Sequence, residues 1–278
     1  MTAKSSAQSP RTAADMSALD QLRRSIESIE GFGFTITGGV GTLVFDRPEK
    51  RNALSRQMWE ALPDILATID ASDELSVLIL TGAGGHFSAG SDIHDLDVPL
   101  ADFWETNSTA EAALASVSIP TIAAIEGNCV GGGTELAAAC DVRVAAPGTI
   151  YGVTAAKLGL VYPPGPTKRL AAIIGDAWAK YFLLTAEIID FDQALNLGFI
   201  HAVSEDPLTT AHEIAATIAS RSPLSQTGAK KILAGELPDA AEGSWLAEAY
   251  ATEIVEGQEA FFAKRRPDFT FTRQDWQD

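Results

Sequence analysis

A run of three glycines followed by a glutamate is the segment of this sequence best suited to chemistry. Gly131, Gly132 and Gly133 follow an apolar stretch and lead into an Ala-rich helical segment with Glu135 in its first turn. Glycines let a ligand approach the bare backbone. The first N–H groups of a helix lack internal partners and the helix dipole adds positive charge there, so this turn could stabilise an oxyanion. By itself, the pattern also fits a close-packed structural turn.

A second glycine turn, Ala89-Gly90-Ser91, leaves another predicted strand. The amide of Ser91 could supply a second hydrogen-bond donor to the same oxyanion. If Glu135 is buried near an apolar ligand, its pKa moves towards neutrality and it could act as an acid or a base. The alternative is a first-turn carboxylate that only complements the helix dipole. Two separated turns of this kind favour the functional interpretation.

Strands in the first half of the chain and helices in the second must position these turns. Gly38-Gly39 between β-branched and aromatic residues predicts a hairpin over residues 34–45, and apolar runs predict buried strands at residues 77–81, 120–125 and 141–145. Helical spacing predicts helices at residues 56–72, 102–117, 166–174, 176–184, 190–197, 207–220, 224–234 and 239–263. This order indicates an α/β core followed by a C-terminal helical region.

Composition excludes several classes of function. The formal net charge of −17 disfavours nucleic acid as a partner, and no apolar run is long enough for a membrane span. Cys129 and Cys140 lie in apolar stretches and the four histidines are scattered, so we predict no metal site. Residues 1–30 lack a secretory signal and form a predicted flexible arm, helical near residues 22–29; cytoplasmic residence is the default.

Together, these motifs resemble the crotonase, or enoyl-CoA hydratase/isomerase, superfamily. The resemblance runs from about residue 34 to residue 269. It rests on residues 47–48 with 52–54, 87–93, 127–141, 151–152 with 157–159, 167–170, 256–257 and 262–267. It implies a crotonase-type ββα superhelix core at residues 31–206 and a helical lid or trimerisation region at residues 207–278. It further implies an acyl-CoA substrate, no permanently bound cofactor, and homotrimers that often pair into hexamers.

The resemblance also implies roles for individual residues. Ser91 and Gly132 would donate their amides to the thioester oxygen, and Glu135 would be the acid or base. The residues implied to bind coenzyme A are Arg51, Ala53, Ala89, Ser91, Asp92, Ile93, Gly132, Gly133 and Lys264.

Two departures from the family pattern leave the reaction open. Hydratases of the family hold water with two glutamates, and the second position falls on Ala155, which cannot transfer a proton. Tyr162 matches a tyrosine at the acyl site of malonyl-type decarboxylases. We therefore consider a hydratase or isomerase that uses Glu135, a substituted malonyl-CoA decarboxylase with Tyr162 at the acyl site, and a catalytically silent acyl-CoA-binding protein. The two oxyanion turns favour an enzyme.

Overall fold

Nine strands in two sheets and ten α-helices make up the computed structural model, which describes residues 18–236 and 244–272. The strands are β1 (Phe32–Thr37), β2 (Val40–Phe45), β3 (Val77–Gly82), β4 (Thr121–Ile125), β5 (Asn128–Val130), β6 (Val142–Ala145), β7 (Ile150–Gly152), β8 (Ile188–Asp190) and β9 (Ala202–Val203). The helices are α1 (Ala18–Glu27), α2 (Arg56–Asp70), α3 (Leu100–Ser116), α4 (Gly132–Ala139), α5 (Pro164–Ile174), α6 (Asp176–Thr185), α7 (Phe191–Asn196), α8 (Pro207–Ala219), α9 (Pro223–Ala234) and α10 (Ser244–Ala263).

The larger sheet has six strands in the order β1-β2-β3-β4-β6-β9. Within this sheet, the β1–β2 hairpin is antiparallel, and its turn at Gly38-Gly39 has positive φ angles of 58° and 79°, which suit glycine. The remaining strand pairs are parallel. A smaller sheet of β5, β7 and β8 stands beside it. The two sheets and the helices between them confirm the predicted α/β fold of the crotonase type.

Both faces of the larger sheet are covered, which explains why its central strands are continuously apolar. One face packs against α8, whose Ala211 and Ala215 are buried against Ile79 and Ile122. The other face belongs to the main core, where α2 contributes Leu62 and five further buried side chains. The sequence pattern assigned α8 to the C-terminal helical region. Its small buried side chains instead pack it against the central sheet as a layer of the core.

The predicted strands and helices are present, with shifted ends. The first predicted helix covers Ala18–Glu27, and its Leu22 and Ile26 are buried in the main core; residues 1–17 of the predicted arm lie outside the described residues. Helix α5 begins two residues before its predicted start because proline at a first helical position has the required φ and lacks only an N–H that would be unpaired. The last helix is described from Ser244, so the predicted start at residue 239 lies outside the described residues.

The short strands β5, β7, β8 and β9 were absent from the sequence prediction. Each has two or three residues, too few for a periodic signal, and each is held by pairing with a distant segment. In the part of the chain that the structure describes, no helix combines the length and apolar character required to cross a bilayer.

Candidate active site

The two glycine turns meet at the start of α4. Gly90 has a φ of +96°, and a Cβ there would lie 2.8 Å from the Val130 carbonyl oxygen and 2.9 Å from the Gly132 nitrogen. The turns are joined through Ser88, whose amide donates to Asn128 O and whose carbonyl oxygen accepts from Val130 N, each at 2.9 Å. Only glycine fits at position 90, because it supplies both the left-handed backbone and the space.

The predicted oxyanion donors lie together at this contact. The Ser91 nitrogen is 3.5 Å from the position that a Cβ on Gly132 would occupy. Gly132 is the first residue of α4, where a helical N–H has no intrahelical acceptor. Among the described residues, neither amide has a hydrogen-bond acceptor. Two unpaired N–H groups next to the positive end of a helix form a site that favours a negatively charged oxygen.

Glu135 lies in the first turn of α4 and is 3% exposed. Its Oε1 is buried and has no hydrogen-bond partner. Burial, followed by the negative charge of Glu111, raises its pKa well above the ordinary value of 4.5, and the nearby Tyr162 hydroxyl opposes this shift only in part. A carboxyl group in this environment can be protonated far above the pH at which an exposed glutamate ionises.

A cleft opens beside these groups, named the acyl cleft below, and it contains both residues at which the sequence departs from the family pattern. It encloses about 540 Å³, its open mouth included, and Ala155 and Tyr162 line it together with Ser91 and Gly131. The Tyr162 hydroxyl donates to the Gly131 carbonyl oxygen at 3.2 Å. Burial and the charges of Glu135 and Glu111 raise the pKa of Tyr162 well above its ordinary value, so the phenol remains a hydrogen-bond donor.

A second cleft runs from Ser91 to the surface and gathers most of the residues predicted to bind coenzyme A. It is lined by Lys50, Ala53, Ala89, Ser91, Asp92, Ile93 and His94. The Asp92 carboxylate accepts hydrogen bonds from Lys50 Nζ at 2.7 Å and from Arg47 Nη2 at 3.1 Å. Burial would raise the pKa of Asp92, but the bonds from Lys50, the His94 amide and Arg47 leave it below its ordinary value. Asp92 therefore holds two cations at the mouth of the cleft.

The other predicted coenzyme A residues have different positions. Arg51 is exposed next to this cleft, and its carbonyl oxygen accepts from the Ala89 amide at 2.9 Å. Gly133 packs on Ser88, where a Cβ would approach the carbonyl oxygen to 2.5 Å, so it provides close packing. Lys264 follows the end of α10 and lines neither cleft. Its role in binding coenzyme A stays a prediction.

The structure adds site residues that the sequence did not indicate. Asn107 of α3 donates from Nδ2 to Ser91 Oγ at 3.4 Å, and Trp59 of α2 places its ring against Gly132 with its Nε1 buried and unpaired. Glu111 of α3 lines neither cleft; it is buried and pairs with Arg169 of α5. The sequence around the α3 residues did not mark them, because helical spacing alone does not show whether a side of a helix faces a binding site or the core. Lys50 could have been noticed as a cation beside Arg51.

Neither cysteine belongs to this site: Cys129 and Cys140 are buried free thiols. Over residues 18–236 and 244–272, no three histidine, cysteine, aspartate or glutamate side chains are grouped closely enough to hold a metal ion.

Comparison with known proteins identifies the family to which this fold and site correspond. The family model for enoyl-CoA hydratase/isomerase matches residues 35–272. The chain is 34% identical over 242 residues to probable enoyl-CoA hydratase echA8 of Mycobacterium bovis, covering 83% of this chain and 94% of that protein. It is 30% identical over 256 residues to the peroxisomal Delta(3,5)-Delta(2,4)-dienoyl-CoA isomerase of Arabidopsis thaliana, covering 82% and 91%.

A solved structure of similar fold points to the same family. The crystal structure of enoyl-CoA hydratase from Bacillus anthracis superposes with a TM-score of 0.76 at 30% identity, covering 86% of this chain and 99% of that chain. The chain therefore belongs to the enoyl-CoA hydratase/isomerase family of the crotonase superfamily.

Proposed function

We propose that the protein binds an acyl-CoA thioester and holds its enolate between the amides of Ser91 and Gly132, while Glu135 transfers the proton. The reaction would be hydration of an enoyl-CoA or a shift of its double bond. One observation carries the proposal: the Glu135 carboxyl is buried, with an unpaired Oε1, in the first turn of the helix that also presents the Gly132 amide. An unpaired buried polar group lowers stability by about 1–3 kcal/mol. A pocket that only binds a ligand has no need to keep such a group.

The two amides would stabilise the charge that develops on the thioester oxygen. Donors that are already oriented need no reorganisation when the charge appears, and they act strongly in a site from which water is excluded. The positive end of α4 adds to this field. Loss of one such donor typically lowers turnover by about 10²–10³-fold.

Glu135 would move the proton. Its raised pKa brings the carboxyl closer to the pH at which the enzyme works, where a group can both give and take a proton. For a double-bond shift, the carboxylate would remove a proton from one carbon and return it to another, so one carboxyl suffices. For hydration, the acid would protonate Cα while water adds to Cβ, and a further group must accept the proton from water.

The cleft lined by Lys50, Ala53 and Ile93 would admit coenzyme A. Its cations, Lys50 and the nearby Arg47 and Arg51, offset an acidic surface that would otherwise repel the phosphates of the ligand. Coenzyme A would arrive as part of the substrate, with no permanently bound cofactor. Lys264 would contribute only if a neighbouring subunit brought it to this cleft.

Decarboxylation of a substituted malonyl-CoA is a second candidate, and the position of Tyr162 favours it. The phenol lines the acyl cleft and stays protonated, so it could position a carboxylate that leaves as carbon dioxide. Against this candidate, Glu135 and Glu111 are both close enough to act on Tyr162 electrostatically. The negative charge of Glu111 near the phenol disfavours a substrate that brings a further carboxylate to the same group.

Mass spectrometry of the purified protein with crotonyl-CoA and ethylmalonyl-CoA separates these reactions. We expect crotonyl-CoA to gain the mass of water; a double-bond shift would instead appear as conversion of 3-butenoyl-CoA to the conjugated thioester, followed by absorbance. Glu135→Gln should lower turnover by about 10²–10⁴-fold and leave binding of the thioester intact, because only proton transfer is lost.

Glu205→Gln is the matched control, because this glutamate is exposed and remote from the clefts. It should keep the full rate. Undiminished turnover in Glu135→Gln would remove Glu135 from the mechanism. Carbon dioxide loss from ethylmalonyl-CoA alone would favour the Tyr162 alternative, and tight binding without turnover of any of the three esters would leave a silent acyl-CoA-binding protein.

We also propose assembly into a homotrimer that can pair into a hexamer. The C-terminal helices expose large apolar side chains: Leu233 is 88% exposed, Phe261 78% and Phe262 81%. Phe261 and Phe262 are in contact with each other, and an exposed apolar pair of this kind often marks a surface that another chain covers.

A further inference from the structure

A buried carboxylate on α3 forms an ion pair with an arginine on α5, and both helices contact α4, which carries Glu135. Glu111 of α3 is 1% exposed, and its Oε1 accepts from Arg169 Nε at 2.5 Å. The Arg169 side chain is 37% exposed, so its charge remains partly hydrated while it balances the carboxylate. Among the described residues, Glu111 Oε2 receives no hydrogen bond; it lies 3.4 Å from the position of a Cβ on Gly165, in the first turn of α5.

The side of α3 that carries Glu111 faces the proposed catalytic site. Phe103, Asn107 and Glu111 follow one another at intervals of four residues, so they lie along one side of the helix. Phe103 lines the acyl cleft. Asn107 donates to Ser91 Oγ, next to a proposed oxyanion amide. Glu111, one turn further on, continues this line to the point where α3 meets α4 and α5.

Glu111 is also electrostatically close to both titratable groups of the cleft. Its charge contributes to raising the pKa of Glu135 and that of Tyr162. Glu111 and Glu135 come from different helices and have different surroundings: the first has an arginine partner, whereas Glu135 has an unpaired oxygen. Pairs of carboxyl groups whose environments differ in this way are suited to divide the roles of base and acid between them.

We propose that Glu111 is the second carboxylate of the site and accepts the proton of the water that adds to an enoyl-CoA, in place of a carboxylate at position 155. This inference rests on the proposed function. In the step, the water oxygen forms a bond to Cβ and loses a proton to Glu111, while Glu135 gives its proton to Cα. The product gains one H and one OH, and return of a proton from Glu111 to Glu135 through solvent restores both groups. Arg169 is the positioning residue that orients Glu111.

Glu111→Gln tests the proposal with two readouts on the intact protein. The first is hydration of crotonyl-CoA, which needs both carboxyl groups. The second is exchange of the Cα hydrogens of butyryl-CoA with deuterium from D₂O, which needs only the enolate site and Glu135. We expect the kcat for hydration to fall by about 10²-fold or more with KM little changed, while exchange falls far less.

The control variants make each outcome decisive. Glu135→Gln should abolish hydration and exchange together, and Glu205→Gln should alter neither. If the wild-type protein shows no exchange, the proposed enolate chemistry fails before Glu111 is tested. If Glu111→Gln hydrates at the wild-type rate, or loses both activities equally while it remains folded, Glu111 is not the base for water.

Two further variants test the proposal if Glu111→Gln does not fold. Glu111→Asp keeps the charge and moves the carboxylate back by one methylene, so hydration should drop more than exchange. Adding Ala155→Glu to a folded Glu111 variant should restore part of the lost hydration, because it supplies a carboxylate at a position that lines the cleft. Equal losses of both activities in Glu111→Asp would overturn the proposal.

Discussion

At the scale of single residues, Glu135 is the group whose environment departs most from that of an ordinary glutamate. It is buried, one of its oxygens has no partner, and Glu111 adds a second negative charge nearby. Such an arrangement disfavours the ionised form and therefore costs stability whenever the carboxyl is ionised. Proteins commonly keep functional groups that lower their stability in this way.

This cost predicts a pH-dependent difference in stability between the wild-type protein and Glu135→Gln. The pKa of Glu135 is higher in the folded than in the unfolded protein, so the wild type loses stability as pH rises from about 4.5 through the folded pKa. Glutamine does not titrate. The melting temperature of the variant should match the wild type near pH 4 and exceed it by about 2 °C or more at pH 8. A difference that stays constant between pH 4 and pH 8 would contradict a raised pKa.

At the scale of elements, the site depends on close contact between two turns that precede different helices. Gly90 touches the backbone of Val130 and Gly132, and this contact sets the distance between the Ser91 and Gly132 amides. The two turns are more than thirty residues apart, yet their backbones pair through Ser88 and Cys129. A side chain at the contact would separate the two donors without altering either of them.

Gly90→Ala should therefore lower turnover by about 10–10²-fold, since one of the two proposed oxyanion donors would be displaced. The left-handed backbone adds strain of about 1–2 kcal/mol. Steady-state kinetics together with thermal unfolding measure the two effects. The matched control is Gly257→Ala in α10, where the nearest atom to a new Cβ is 3.9 Å away; it should keep its activity and gain up to about 1 kcal/mol of stability. Equal kinetics in the two variants would show that the contact does not position the donors.

At the scale of the whole molecule, strong acidity coexists with an apolar C-terminal surface. A net charge of −17 keeps separate chains apart at long range, so a specific assembly needs a local apolar contact to overcome the repulsion. Phe261 and Phe262 pack edge to face against each other at 5.7 Å between ring centroids, and both remain largely exposed. This pair is the most prominent candidate contact among the described residues.

Light scattering during size-exclusion chromatography should give three or six times the 29.3 kDa mass of the chain. Phe262→Asp should shift the distribution towards smaller species, because the interface would bury a charge. Thr68→Asp is the matched control on α2, where an exposed side chain that is already polar gains the same charge, and it should leave the mass unchanged. A wild-type mass equal to that of a single chain would refute the proposed assembly.

The sequence by itself determined the features that depend on local backbone chemistry. The Gly38-Gly39 hairpin, the buried strands, most helices and the two glycine turns follow from residue types over a few neighbouring positions. Position 135 was also predictable, because the first turn of a glycine-led helix is a local feature. The departure at Ala155 was likewise visible in the sequence, whereas its consequence for the reaction was not.

Only the tertiary structure decided which distant side chains lie next to one another around the proposed site. Glu111 and Arg169 are 58 residues apart in the chain, and Asp92 lies 42 residues from its partner Lys50. Such pairs leave no local pattern, because their proximity results from the packing of helices and loops against one another. The three-residue strands of the smaller sheet were not predicted for the same reason. They are stabilised by pairing with distant segments, and a short segment taken alone does not reveal its partner.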